Sequence, residues 1–133
     1  MRDELTLNAS LSFPLAVLRR SALEHNIAWK QAFANRKGAL LVPHGKTTLS
    51  PELMRMQLAG GAWGLTLANV HQVQVGIEAG AKNIIIANQV VALADLDGLD
   101  ALRCAHLGVR PVAACAAHRR PHCAGRFAPL HDI

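Results

Sequence analysis

The stretch Asn83-Ile84-Ile85-Ile86-Ala87 places three β-branched residues in an unbroken row. Such a run is typical of a strand that is buried on both faces, as in a parallel sheet covered by helices. Gly80, just before it, stands where a helix commonly ends with a residue in the left-handed conformation. The stretch therefore predicts a buried strand that follows a helix in an α/β fold.

The same order of strand and helix extends along the chain in both directions. Short apolar runs predict strands at residues 14–18, 39–43, 63–67, 83–87 and 110–114. Helical patterns follow the first four of them, at residues 20–36, from Pro51 after the capping residue Ser50, from Val70 after the capping residue Asn69, and at residues 91–106. Because strands recur about every 20–27 residues, the pattern predicts successive βα units with parallel strands.

Two architectures fit this pattern. A complete (β/α)₈ barrel needs about 250 residues, so a chain of 133 residues holds about half of one. A doubly wound domain with five strands suits the length better, but no glycine-rich phosphate turn follows the first predicted strand. The periodicity alone leaves both architectures open.

The composition excludes several classes of function. Hydrophobic residues make up 51% of the chain and charged residues 17%, which is enough for a folded core. The net charge of +5 is scattered, and aromatic residues are scarce, so no nucleic-acid surface is expected. The three cysteines form no Cys-x-x-Cys pair, so no disulfide framework is expected. Asp3 and Glu4 stand where a signal peptide would have positive residues. No apolar run approaches the ~20 residues of a membrane helix. We expect a soluble, cytoplasmic protein without a membrane partner.

The segment Pro43-His44-Gly45-Lys46-Thr47 follows the second predicted strand, and Ser50-Pro51-Glu52-Leu53 begins the next helix. Sites in α/β folds are built at this carboxyl edge of the sheet. A lysine there can form a Schiff base with an aldehyde cofactor, and Gly45 would let a ring approach the backbone. A solvated lysine and a hydrogen-bonding His44 are the ordinary alternatives, and spacing alone favours them.

These two segments resemble the cofactor-lysine region of the D-threonine aldolase, D-serine dehydratase and amino-acid deaminase group of fold-type III pyridoxal-phosphate (PLP) enzymes. The N-terminal domain of that group is the alanine-racemase-type barrel. Further segments agree in order and spacing: Pro14 to Leu18, Asn26-Ile27, Gly64 to Ala68, Ala79 to Ala81 and Ile84 to Asn88. The resemblance covers residues 13–111 and implies a partial TIM-type (β/α) barrel of about four βα units, preceded by an extension at residues 1–12.

The resemblance also implies a mechanism and a set of site residues. Lys46 would form the internal aldimine with PLP, and an incoming D-amino or hydroxy-amino acid would displace it. His44 would orient Lys46 or the ring, while Thr66 and Asn88 would line the cofactor pocket. A locally bonded strand hydroxyl and a helix-capping asparagine are the alternative roles of these last two residues. Members of the group typically carry His-Lys where this chain has Thr48-Leu49, so the substrate and the reaction branch stay open.

The later barrel strands, the phosphate-binding loops and the C-terminal β-domain of the group have no counterpart in this sequence. The metal ligands of the group come from that domain, so no metal site is expected here. We interpret the chain as an N-terminal fragment that binds PLP weakly, lacks turnover alone and self-associates through open sheet edges. A non-catalytic PLP-binding barrel protein and a truncated product without independent function are the alternatives.

Residues 112–133 differ in character from the rest, because periodicity stops and His, Cys, Pro and Arg become frequent. Cys115, His118, His122 and Cys123 have the side chains of a zinc site, but their spacing matches no established ligand pattern. A solvated tail is the simplest interpretation. A change of reading frame near residue 112 is the favoured hypothesis, because it explains why the barrel pattern stops at the same place.

Overall fold

The computed structural model describes Pro14, residues 17–105 and residues 109–111 of the chain. The described part contains four helices, α1 (Arg20–Arg36), α2 (Pro51–Ala59), α3 (Val70–Glu78) and α4 (Leu93–Ala105). It contains three strands, β1 (Leu65–Leu67), β2 (Ile84–Ile86) and β3 (Val109–Pro111). From α2 onward helices and strands alternate along the chain, as the periodicity predicts, whereas α1 and α2 follow one another with no strand between them.

The three strands form one parallel sheet in the order β1-β2-β3. Thr66 is in register with Ile85, and Ile85 is in register with Arg110. Ile84 and Ile86 are fully buried. The predicted parallel sheet and the strand at the isoleucine run are therefore confirmed, whereas closure into a barrel is not seen in the described residues.

The second predicted strand, at residues 39–43, is replaced by an irregular extended segment that runs along β1. Its one bridge pairs His44 with Thr66 in the parallel sense. The Trp63 amide donates to the Leu41 carbonyl oxygen at 2.9 Å, and the Thr66 amide donates to the Pro43 carbonyl oxygen at 2.8 Å. The segment thus lies next to β1 without forming a regular ladder.

The irregularity of this segment has two physical causes. Its hydrogen bonds advance two residues from Leu41 to Pro43 but three residues from Trp63 to Thr66, so one extra residue is accommodated before β1. Pro43 itself has no amide hydrogen and cannot donate to a ladder. Both features depend on how the two segments meet. The apolar run alone cannot reveal them and therefore predicts a regular strand.

Some predictions fall wholly or partly outside the described residues. Of the first predicted strand only Pro14, Val17 and Leu18 are described, and none of them lies in a strand. The domain boundary at residues 12–13, the tail at residues 112–133, its reading frame and its zinc interpretation lie outside the described part.

Helix ends follow the local chemistry of the sequence. The Ser50 hydroxyl accepts a hydrogen bond from the Leu53 amide at 3.4 Å, with Pro51 in the first turn of α2. The Asn69 side chain accepts from the Gln72 amide at 3.0 Å at the start of α3. Gly80 follows α3 with a φ of +96°, in the left-handed region. These caps confirm the predicted starts of α2 and α3 and the predicted role of Gly80.

The core lies between the sheet and helices α2, α3 and α4, with Leu99 of α4 buried in it. Its fully buried side chains are Met54, Leu65, Leu67, Val73, Ile84 and Ile86. Gly76 of α3 faces the sheet so closely that an added Cβ would lie 2.6 Å from Leu67 Cδ1. The absence of a side chain at Gly76 therefore lets α3 pack directly on the strands.

Helix α1 contributes less to this core and presents an aromatic outer surface. Ala34 is its one buried residue among those described. Trp29 and Phe33 are exposed and stack with ring centroids 5.8 Å apart, and the Arg36 guanidinium lies 5.9 Å from the Phe33 ring centroid. No helix within the described ranges is long and apolar enough to span a bilayer.

We predict that Gly64→Ala destabilises the sheet. The Asn83 carbonyl oxygen accepts from the Leu65 amide at 3.0 Å, and the Asn83 side chain donates to the Trp63 carbonyl oxygen at 3.0 Å. A Cβ at Gly64 would collide with the Asn83 carbonyl, so backbone must move. The free energy of unfolding, measured by urea denaturation, is expected to fall by about 1–3 kcal/mol.

Gly98→Ala is the matched control for this measurement. Gly98 lies within α4, and an added Cβ would meet only the Val70 side chain, at 3.2 Å. Because alanine has the higher helix propensity, this variant is expected to be as stable as the parent or more stable by up to about 1 kcal/mol. Equal effects of the two substitutions would contradict the assigned role of Gly64.

Candidate functional site

The predicted lysine segment lies at the carboxyl edge of the sheet. The Gly45 amide donates to the Thr66 carbonyl oxygen at 3.0 Å, in a segment that runs parallel to β1. Lys46 follows directly, so it leaves the sheet at the end where β1 ends. The Ala87 amide donates to the Leu67 carbonyl oxygen at 3.0 Å, which places Asn88 after the end of β2 at the same edge.

Lys46 begins a tight turn over residues 46–48. The Leu49 amide donates to the Gly45 carbonyl oxygen at 3.0 Å and closes this turn. Lys46 is half-buried, whereas Thr47 and Thr48 are exposed. No carboxylate of the described residues forms an ion pair with the Lys46 ammonium group. The backbone that carries the amine is thus held in a closed turn, with no acidic neighbour paired to the amine among the described residues.

The glycine at position 45 is explained differently by the structure than by the sequence-based expectation. It is buried, and an added Cβ would lie 2.8 Å from Met54 Cε and 3.0 Å from Leu67 Cδ2. Its missing side chain therefore makes room for the core, so the expected approach of a cofactor ring is not needed to explain this glycine. The contact joins the lysine segment to α2 and β1.

His44 and Thr66 are bridge partners and therefore project to the same face of the sheet. Leu65 and Leu67 project to the other face, where they contact the position of Gly76 in α3. His44 is exposed and Thr66 is buried. The structure thus brings His44, Thr66 and the start of the lysine turn together on the sheet face that points away from α3.

Thr66 also has a structural role in this arrangement. Its hydroxyl donates to the Val42 carbonyl oxygen at 3.0 Å, and the residue is only 6% exposed. The hydroxyl hydrogen is therefore used in a hydrogen bond to the backbone. This agrees with the alternative role of Thr66 as a bonded strand hydroxyl. Only the lone pairs of the oxygen remain for a ligand, and a pocket-lining role for Thr66 stays a prediction.

Asn88 is exposed and does not cap a helix. Helix α4 begins at Leu93, and the Leu96 amide donates to the Ala92 carbonyl oxygen, so Asn88 precedes the start of α4 by several residues. The helix-capping alternative for Asn88 is therefore wrong. Asn88 follows β2 at the edge of the sheet that carries Lys46.

A cleft of about 350 Å³ lies between the beginnings of α1 and α2. Arg20 and Glu52 line it and approach each other to 3.8 Å, with side chains 72% and 77% exposed. Thr48 of the lysine turn borders the cleft, but Lys46 and the other predicted site residues do not. The cleft is therefore separate from the predicted cofactor position.

Among the residues that the structure describes, no group of three or more His, Cys, Asp or Glu side chains is placed to hold a metal ion. The cysteines and histidines of the zinc interpretation lie in the tail, outside this part of the chain. Beside Lys46 in the sequence are instead the imidazole of His44 and the hydroxyls of Thr47 and Thr48, while the amide of Asn88 follows β2 at the same edge of the sheet.

Sequence reasoning missed one residue beside the site, Leu49, and one at the opposite edge of the sheet, Asn83. Leu49 has a φ of +46°, a left-handed conformation for which leucine gives no signal in the sequence. Asn83, at the start of the isoleucine run, holds both residues that flank Gly64. An asparagine beside a buried strand was a usable signal, because a partly buried amide requires hydrogen-bond partners.

Comparison with known proteins gives two curated enzymes. The chain is 36% identical over 88 residues to a D-threonine aldolase from Arthrobacter sp., covering 66% of this chain and 23% of that enzyme. It is 32% identical over 87 residues to the D-threo-3-hydroxyaspartate dehydratase of Delftia sp. (strain HT23), covering 65% of this chain and 22% of that enzyme. The chain is similar to both enzymes. It spans about a quarter of the length of each, and no protein-family model matches it.

Solved structures agree with the sequence comparison. The crystal structure of D-threonine aldolase from Filomicrobium marinum has a TM-score of 0.61 and 32% identity, covering 68% of this chain and 24% of that chain. D-threo-3-hydroxyaspartate dehydratase from Delftia sp. HT23 has a TM-score of 0.67 and 29% identity, covering 75% of this chain and 26% of that chain. The resemblance to D-threonine aldolases is thereby confirmed.

We predict that Thr66→Val lowers the free energy of unfolding by about 1 kcal/mol, because the Val42 carbonyl loses its hydroxyl donor. Thr47→Val is the matched control: the same change at an exposed threonine is expected to alter stability by less than about 0.5 kcal/mol. Urea denaturation of both variants measures the difference. If the two variants are equally stable, the hydroxyl of Thr66 has no structural role.

Proposed function

We propose that this chain carries the lysine-bearing part of a PLP-dependent lyase that acts on D-amino acids with a 3-hydroxyl group. The observation that carries the proposal is the position of Lys46, half-buried in a closed turn at the carboxyl edge of a parallel sheet. The chain that presents this lysine is 36% identical over 88 residues to a D-threonine aldolase. Lys46 Nζ is the proposed point of covalent attachment for the cofactor.

The substrate class rests on the names of the two curated relatives. D-threonine and D-threo-3-hydroxyaspartate are both 3-hydroxy amino acids of D configuration. An aldolase breaks the bond between Cα and Cβ, whereas a dehydratase removes the hydroxyl group from Cβ. The shared requirement is a substrate with a hydroxyl at Cβ, and the choice between these branches and a deaminase stays open.

The residues near Lys46 fit a PLP molecule in part. When bound, PLP supplies an electron sink that stabilises negative charge at Cα of the substrate. Lys46 contributes a primary amine with no acidic partner in the described part of the chain. His44 lies two residues before it on an exposed position and is proposed to orient the amine through its imidazole. Asn88, at the same edge, is proposed to border the cofactor.

The architecture proposed for residues 13–111 is the first part of a (β/α) barrel. Support comes from the TM-score of 0.67 to a dehydratase structure of which the chain covers 26%. In the group that the sequence resembles, the partners of the cofactor phosphate and pyridine nitrogen belong to later parts of the chain. Self-association through open sheet edges and a cytoplasmic location stay predictions.

The first test labels Lys46 directly. The protein is incubated with PLP, reduced with borohydride and mapped by mass spectrometry, which compares Lys46 with the exposed Lys30, Lys37 and Lys82. Because a held cofactor raises the local concentration of aldehyde, modification of Lys46 is expected to exceed that of Lys82 by about fivefold or more. Lys46→Arg removes the main labelled peptide and preserves the charge. Equal modification of all four lysines would reject the assignment.

The second test concerns activity. We predict that the 133-residue chain binds PLP weakly and does not turn over D-threonine or D-serine, because the phosphate requires backbone amides and hydroxyls beyond the lysine. Titration with PLP, followed through the visible absorption band of the lysine adduct, measures binding, with Lys46→Ala as the control. A saturable band that depends on Lys46, together with measurable turnover, would show that the chain is sufficient as an enzyme.

A further inference from the structure

Leu49 has an unusual backbone conformation. Among the described residues it is the one non-glycine residue with positive φ, at +46°. The left-handed region brings a Cβ atom close to the following carbonyl oxygen, so a leucine adopts it only where surrounding contacts compensate for the strain. The strain stands three residues after Lys46, at the end of the turn that carries the lysine.

The capping of α2 does not require this conformation. Helix α3 also begins after an extended segment, with Asn69 as a side-chain cap, and none of the described non-glycine residues beside that cap has positive φ. Ser50 caps α2 from an ordinary extended conformation, with a φ of −89°. The left-handed residue therefore belongs to the lysine turn and is not a consequence of starting a helix.

Both ends of the lysine turn are fixed to the core. At one end Gly45 is buried against Met54 and Leu67, and its amide donates to the Thr66 carbonyl oxygen. At the other end Leu49 is half-buried and packs against the core cluster. Its amide returns to the Gly45 carbonyl oxygen at 3.0 Å. The three residues between these ends, including Lys46, have no comparable anchor of their own.

We propose that Leu49 is a positioning residue for Lys46. Its left-handed conformation lets the chain continue into Ser50 and α2 while the Leu49 amide stays bonded to the Gly45 carbonyl oxygen, so that the turn stays closed and the lysine stays at the carboxyl edge. Leu49 acts on the backbone of the turn and makes no contact with the reacting groups. The inference rests on the proposed function, because the orientation of Lys46 matters only if its amine carries the cofactor.

Two substitutions separate backbone conformation from apolar packing. Leu49→Val retains an apolar side chain, but a β-branched residue strongly disfavours the left-handed region. Leu49→Asn loses the apolar contact but tolerates that region well. Val75→Ala, a change in a partly buried residue that packs against the same core from α3, is the control for a general loss of stability.

The experiment has two readouts on the full-length chain. Hydrogen exchange of the peptide that spans residues 46–49 reports the bond from the Leu49 amide to the Gly45 carbonyl without any cofactor. Reductive labelling with PLP reports the ratio of modification at Lys46 to that at Lys82. In Leu49→Val we expect faster exchange in this peptide and a labelling ratio that falls by roughly a factor of five, to near one. In Leu49→Asn we expect the ratio to stay within about twofold of the parent value.

The outcomes distinguish this inference from the proposed function. Equal labelling of Lys46 and Lys82 in the parent protein would reject the cofactor lysine, while the exchange data would still decide the role of Leu49. Unchanged exchange in Leu49→Val would overturn the positioning role whatever the labelling shows. Equal losses in Leu49→Val and Leu49→Asn, or an equal loss in Val75→Ala, would also overturn it, because packing or general stability would then explain the effect.

Discussion

The parallel pairing between residues 41–45 and β1 is the interaction on which the arrangement of the site depends. Thr66 takes part through three groups: its amide donates to Pro43, its carbonyl accepts from Gly45, and its hydroxyl donates to Val42. Because the residue is buried, water does not compete well for these bonds. The pairing sets the point at which the chain leaves the sheet, and Lys46 is the first residue after it.

The two faces of the strands differ in what they contact: one packs against α3, and the other carries His44 and Thr66. On one face Leu65, Leu67 and Ile84 contact α3 at Gly76, where a side chain would hold the helix away from the sheet. On the other face His44, Thr66 and Ile85 lie in register across the sheet. Alternation along a strand therefore separates the packing surface from the surface that carries polar groups, with no need for additional elements.

Much of the fold could be predicted because its signals are local. Ser50, Asn69 and Gly80 determine helix ends through contacts within a few residues, and the isoleucine run identifies β2 by composition. The irregular path of residues 39–43 could not be predicted, since it depends on how two distant segments meet. Lys46 was found through resemblance, whereas the hydrogen bond of Thr66 and the conformation of Leu49 arise only from tertiary contacts.

The hydrogen bonds that hold the lysine turn all join residues that precede β2 and β3 in the chain. The bond from Thr66 to Val42 spans 24 residues, and the bond from Leu49 to Gly45 spans four. The bond across four residues closes a small loop and forms quickly, whereas the bond across 24 residues closes a longer loop. During synthesis from the N-terminus, every hydrogen-bonding partner of the turn is translated before β2. The hydrogen bonds that hold the turn around Lys46 therefore require neither β2 nor β3.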